Sequence, residues 1–255
     1  TSMHGFLGIY EIPHYASIAL SFFTIIVITN SFNLIDGVDG LAGSLGLLTT
    51  FLFGAYFYYI GHIEYAVIAF ALSGSLVSFL IYNFSPAKIF MGDTGSLLLG
   101  LINSILVIKF INLSGSPAVA LPLSAAPAIG IAILMIPLFD TLRVFGLRIV
   151  DGRSPFSPDR THVHHFLLDI GFSHRRITLL CVALNSIFIG IAVGLRNLGT
   201  TSVIGILLVT GLLFIGIIYY LRQKNKPVSV NDLVENEVRK SHKILSFTPE
   251  TVEVD

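Results

Sequence analysis

The sequence predicts an all-α, polytopic integral membrane protein with about seven transmembrane helices, and three observations carry that expectation. The chain is 54% hydrophobic and 12% charged, with a mean hydropathy of +0.83. A soluble domain carries about 25% charged residues, so a soluble fold would leave much apolar surface uncovered. The apolar residues also gather into runs near the ~20 residues that cross a bilayer core. Finally, of the 15 lysines and arginines, only Lys109 and Arg196 fall near ends assigned to the outer side. The positive-inside rule makes the opposite side cytoplasmic. A formal net charge of zero gives no bulk attraction to nucleic acid, and the single cysteine, Cys181, excludes an internal disulfide.

The elements follow in order. Residues 1–14 begin outside and lack the basic stretch of a cleavable signal. Spans are expected at 15–33, 41–60, 65–82, 97–113, 118–139, 177–195 and 202–221. They are apolar throughout rather than on one stripe, which argues against surface helices. Among them only the fourth holds a charge, Lys109, close enough to its end to snorkel. The fifth carries Pro122, Pro127 and Pro137, so a broken or bent helix is expected, with its freed backbone groups satisfied by neighbours or a polar cavity. Residues 83–96 and 140–176 form cytoplasmic loops. A transmembrane domain over 1–221 is followed by a polar cytoplasmic tail over 222–255, with a short amphipathic helix considered around 231–245. Gly43, Gly46 and Gly190 are small residues suited to close helix packing, and a homodimer is left open.

Chain parity then puts three polar groups on one membrane face. In N-S-F-N-L-I-D-G-V-D-G, Asn30, Asn33, Asp36 and Asp39 recur every third residue at the end of the first span. Helical periodicity places the first three near one face. Such acids and amides can meet sugar hydroxyls, a base edge or a metal, whereas a polar helix exit needs only the turn. The acids that an EF-hand loop requires are missing. In N-F-S-P-A-K-I-F-M-G-D-T-G-S, Asp93 precedes a hydrophobic helix whose N-terminal amides favour an anion. Magnesium suits Asp93 together with phosphate oxygens, because that ion rarely takes an all-protein cage. Lys88 adds a phosphate-reaching charge and Phe90 an aromatic face for a base.

In D-R-T-H-V-H-H, Arg160, His162, His164 and His165 form the densest cluster. The spacing lacks the i, i+4 histidine pair and glutamate of zinc proteases, and no cysteine is near. Imidazoles beside an arginine suit a pyrophosphate or proton traffic near neutrality. Asp140, in P-L-F-D-T, is read as a structural partner of Arg143, one turn later. Glu64 and Lys109 read as boundary charges.

Together these segments resemble the polyprenyl-phosphate N-acetylhexosamine-1-phosphate transferases (glycosyltransferase family 4). The three motifs stand in the family's order, and H-G-F-L-G-I-Y-E-I-P and P-L-F-D-T are similar as well. The resemblance implies that a polyprenyl phosphate attacks the β-phosphate of a UDP-amino sugar, releasing UMP, with magnesium or alternatively manganese as cofactor. It implies a catalytic set of Asp36, Asp39, Asp93, His164 and His165. Asp93 would be the metal ligand and Phe90 the surface on which uracil stacks. Asn30, Asn33 and Asn83 would stand with the acids around the nucleoside and sugar. Lys88, Arg160 and His162 would help hold the pyrophosphate.

Val163 interrupts the histidines, which resembles the branch using UDP-N-acetylglucosamine more than the muramoyl-pentapeptide branch. An inner-membrane, multi-pass location with a cytoplasmic site is implied. The family's earlier Asp-Asp loop has no counterpart before Asp36, and a chain lacking the N-terminal spans is the expectation. The competing classes are a transporter using the acids as an ion path and a non-catalytic membrane protein. Transporter sites lie near the midplane on broken helices, whereas these acids are expected at one surface.

Overall fold

A computed structural model describes residues 2–116, 118–154 and 162–224. Arg160, the tail from 225 and the helix considered at 231–245 lie outside the described residues. A short antiparallel hairpin, β1 (Ser2–Phe6) and β2 (Ile9–Glu11), precedes the helices. Then come α1 (His14–Ile35), α2 (Leu41–Tyr59), α3 (Ile63–Asn83) and α4 (Gly92–Ser114). They are followed by α5 (Ala126–Ile133), α6 (Met135–Val150), α7 (Val163–Asp169), α8 (His174–Gly194) and α9 (Thr200–Lys224). Among the described residues, six helices are long and apolar enough to cross a membrane, and the bent pair α5–α6 makes a seventh crossing if taken as one span.

That bent pair is where sequence and structure differ most. The fifth span is not 118–139: its helices run from 126 to 150 and meet at an angle of 85°. Pro127 sits in the first turn of α5, where a missing N–H costs nothing. Pro137 sets the break. In a continuous helix it would owe its N–H to the carbonyl of Ile133, and it has none. The fully buried Asn185 of α8 takes over, its Nδ2 donating to Ile133 O at 2.8 Å while its Oδ1 accepts from the Ile136 N–H at 3.0 Å. One amide therefore splints both sides of the bend. Beyond it α6 continues through the stretch expected to be loop, because charges such as Arg143 end a hydropathic run without ending a helix.

The helices pack through small residues and polar ties, as expected where lipid removes most hydrophobic drive between helices. A Cβ on Gly100 of α4 would lie 2.6 Å from Thr29 Cα of α1, so glycine permits the near-backbone approach of these two helices. Thr49 bonds Asn103 and Thr50 bonds Ser73, each at 2.7 Å, tying α2 to α4 and to α3. Such bonds contribute about 1 kcal/mol each inside a membrane. Gly43 and Gly46 face Leu80 and Leu99 of this chain, so both serve internal packing. Phe22, Phe23 and Ile26 of α1 and Val209, Leu212 and Leu213 of α9 remain exposed on the outside of the bundle.

Hydrogen bonds identify two opposite ends. At one, Tyr56 reaches Leu121 O, Ser124 reaches Arg196 O, and the Leu7 N–H reaches Thr201 Oγ1. At the other, Asn33 meets Asp93 and His174 meets Asp39. The bent pair thus returns the chain to the end carrying the acids.

Candidate active site

Helices α1 and α4 cross closely at Gly100, and this brings the end of α1 beside the start of α4. Asn33 sits in the last turn of α1, and its Nδ2 lies 3.2 Å from Asp93 Oδ1 and 3.0 Å from Ser96 Oγ. Asp36 caps α1, and Asp93 stands in the first turn of α4. Together with Asp39, Asn83 and Phe90 these residues line a cavity of about 260 Å³. Burial and then the Asp93 charge push the Asp36 carboxyl up to about 6. The cavity therefore holds two acids whose mutual repulsion a cation would relieve. Among the described residues there is no group of three or more metal-binding side chains, so a cation here would need other oxygen donors.

Around this cavity the remaining polar groups hold backbone. Asp39 Oδ2 accepts from the Ala87 N–H at 3.2 Å, and Oδ1 lies 3.2 Å from His174 Nδ1. The Thr178 hydroxyl donates to Asp39 O at 2.9 Å. One aspartate thus latches the turn after α1 to the loop before α4 and to the start of α8. Asn83 accepts from the Gly40 N–H at 3.0 Å and donates to Ile89 O at 2.8 Å, so its amide is engaged at both ends. Phe90 is 79% exposed and stands at the rim with its ring available.

Several expected binders stand elsewhere. Asn30 does not line the cavity; it donates to Ile26 O within its own helix. Lys88 is exposed and also outside the lining. The histidines depart furthest from the loop expected over 140–176. His162 and His164 are only 4% and 3% exposed, because Val163, Phe166 and Leu167 on the same short helix join an apolar cluster with Ile35, Leu41 and Ile218. His164 stands behind the cavity wall: a Cβ on Gly37 would lie 2.7 Å from its Nε2. Burial is the main cause holding the His164 imidazole down to about 4, so it is neutral at physiological pH. His165 is half-buried, its ring 4.3 Å from that of His164.

Sequence reasoning missed two members of this arrangement. Asp140 does pair with Arg143, at 2.9 Å, but it also meets His162 Nδ1 at 2.9 Å and the Val163 N–H at 3.1 Å. The available signal was an acid just past a proline-broken span, a depth at which acids have partners. His174 was visible only as part of a basic run, with nothing local to link it to Asp39.

Comparison with known proteins adds an independent line. Residues 1–111 match the family model described as Glycosyl transferase family 4. Curated relatives include the decaprenyl-phosphate N-acetylglucosaminephosphotransferase of Mycobacterium leprae, 39% identical over 189 residues, which is 69% of this chain and 47% of that protein. The protein of the same name from Mycolicibacterium smegmatis is 39% identical over 69% of this chain and 46% of its own length. The undecaprenyl-phosphate alpha-N-acetylglucosaminyl 1-phosphate transferase of Escherichia coli is 33% identical over 66% of this chain and 46% of its own length. The chain thus spans about half the length of the curated relatives it matches.

Proposed function

Because this chain belongs to glycosyl transferase family 4, we propose that it builds the nucleotide-sugar face of a phosphoglycosyltransferase. The reaction moves N-acetylglucosamine 1-phosphate from a UDP-linked donor to a polyprenyl phosphate, on the cytoplasmic side of a cell membrane. An acceptor phosphate oxygen bonds to the β-phosphorus, the bridging P–O bond breaks, and UMP leaves. The names of the relatives support the donor sugar and the lipid acceptor. The distribution of lysine and arginine supports the side.

One observation carries the reading: Asn33 and Asp36 at the end of α1 and Asp93 of α4, 60 residues beyond Asn33, line a single cavity at the N-terminus of a long helix. Phosphoryl transfer depends mostly on positioning and charge neutralisation, and this cavity offers both. The amides at the start of α4 favour a phosphate group. Phe90 offers a flat face to the uracil ring. Asp93 would hold magnesium, or manganese in its place, because a carboxylate with room for phosphate and water oxygens is what such an ion takes. The crowding of Asp36 by Asp93 supports that fit. A bound ion supplies charge neutralisation at the pyrophosphate. Asp36, whose carboxyl burial pushes above the ordinary carboxylate range, is suited to accept the acceptor's proton.

Asp93→Asn, assayed in membranes with UDP-N-acetylglucosamine and polyprenyl phosphate, is expected to lower magnesium-dependent UMP release by about 100-fold or more. Thermal stability should change little, since asparagine can still accept from Asn33. Wild-type turnover in the variant would remove Asp93 from the site. Absence of UMP release from the wild-type protein would overturn the reaction itself.

A further inference from the structure

We propose that Asp140 is the positioning residue of the histidine segment, fixing His162 as its Nδ1–H tautomer and seating His164 behind the turn that carries Asp36. The kinetic part of this inference rests on the transferase reading above; the structural part does not.

Helix α7 is seven residues long and too short to hold itself in a helix. Its position must come from outside. At its far end Arg222 of α9 pairs with Asp169 at 2.7 Å and lies 4.3 Å over the Phe166 ring. At its start the support is Asp140, which is 4% exposed. Oδ1 accepts from Arg143 at 2.9 Å and from the Val163 N–H at 3.1 Å, while Oδ2 takes His162 Nδ1 at 2.9 Å. An ion pair made only for stability would need the arginine alone. Here one carboxylate fixes both the first amide of the helix and the ring just before it.

A carboxylate cannot donate, so the proton between Oδ2 and His162 belongs on Nδ1. The consequence reaches the cavity through two contacts. The His162 ring lies nearly parallel to His164, 5.7 Å away at 9°. His164 Nε2 in turn fills the space a Cβ on Gly37 would occupy, next to Asp36 in the chain. The hydrogen bonds of Asp140 run to Arg143, His162 and the Val163 N–H rather than to the residues that line the cavity, so it acts on the acids through the histidines.

The test is Asp140→Asn in the full-length membrane protein, with histidine nitrogens labelled for NMR and the His162 signals assigned by their loss in His162→Gln. In the wild type the proton is expected on Nδ1. Asparagine can keep the Val163 and Arg143 bonds through its oxygen, but its NH₂ then faces the ring, and the proton should move to Nε2. Turnover should fall by roughly 10- to 100-fold, as when partners that orient histidines are lost, with KM for UDP-N-acetylglucosamine unchanged. A wild-type proton on Nε2 overturns the proposal whatever the stability of the variant. So does a variant with wild-type turnover. If the tautomer moves as expected but the wild-type protein releases no UMP, the tether stands and the transferase reading falls.

Discussion

Gly37 is the residue at which the acid turn and the histidine segment meet. Its missing Cβ leaves room for His164 Nε2, and an added methyl carbon would come within 2.7 Å of that nitrogen, well inside van der Waals contact. Gly37→Ala must therefore displace either the turn or the imidazole by something approaching ~1 Å. A misplacement of that size costs about 100-fold in turnover where chemistry depends on alignment. Overpacking of this kind costs about 1–3 kcal/mol of stability, which a thermal melt in detergent would register as a modest shift. Turnover of Gly37→Ala equal to wild type would show that the contact does not position the acids. In the double variant Gly37→Ala/His164→Ala, the two losses should fail to add, because they remove one contact.

Among the elements, the bent pair α5–α6 shows how a polar residue within a span makes irregular backbone tolerable in a membrane. Pro137 withholds the N–H that Ile133 would need, and Asn185 supplies the substitute from a neighbouring helix. Replacing Asn185 by leucine would leave one buried carbonyl and one buried N–H without partners. At about 1–3 kcal/mol for each, Asn185→Leu should destabilise the protein by about 2–6 kcal/mol. A melting temperature equal to wild type in detergent would remove Asn185 from this part. Elsewhere the elements were largely legible. A run of some 20 apolar residues can do little in a bilayer except form a helix, and such runs marked the other crossings. The length of the fifth was not legible, since α6 carries Asp140, Arg143 and Arg148 and reads as loop until their packing is seen.

Across the whole molecule, contacts at opposite ends establish the sides without reference to charge. Lys88 and Asp169 belong to the acid end, and Leu198 to the other, and all three are exposed. Single cysteines there, in a Cys181→Ser background, should label with an impermeant maleimide in two classes: positions 88 and 169 from one side, 198 from the other. Labelling of 88 and 169 from opposite sides would break the shared site. Sequence by itself determined the membrane class, the parity of the crossings and the meeting of Asp36 with Asp93, because span length and helix direction are local properties that hydropathy records. It also exposed the motif residues Asn33 and Phe90 as candidates. Only the tertiary structure decided that Asp39 and Asn83 hold backbone, that Asn30 and Lys88 stand outside the cavity, and that His162 and His164 are buried behind its wall. The physical reason is that a polar side chain's partner is chosen by packing. Asp140 and His162, or Asn185 and Pro137, are distant in the chain and become neighbours only when helices of this bundle close on one another.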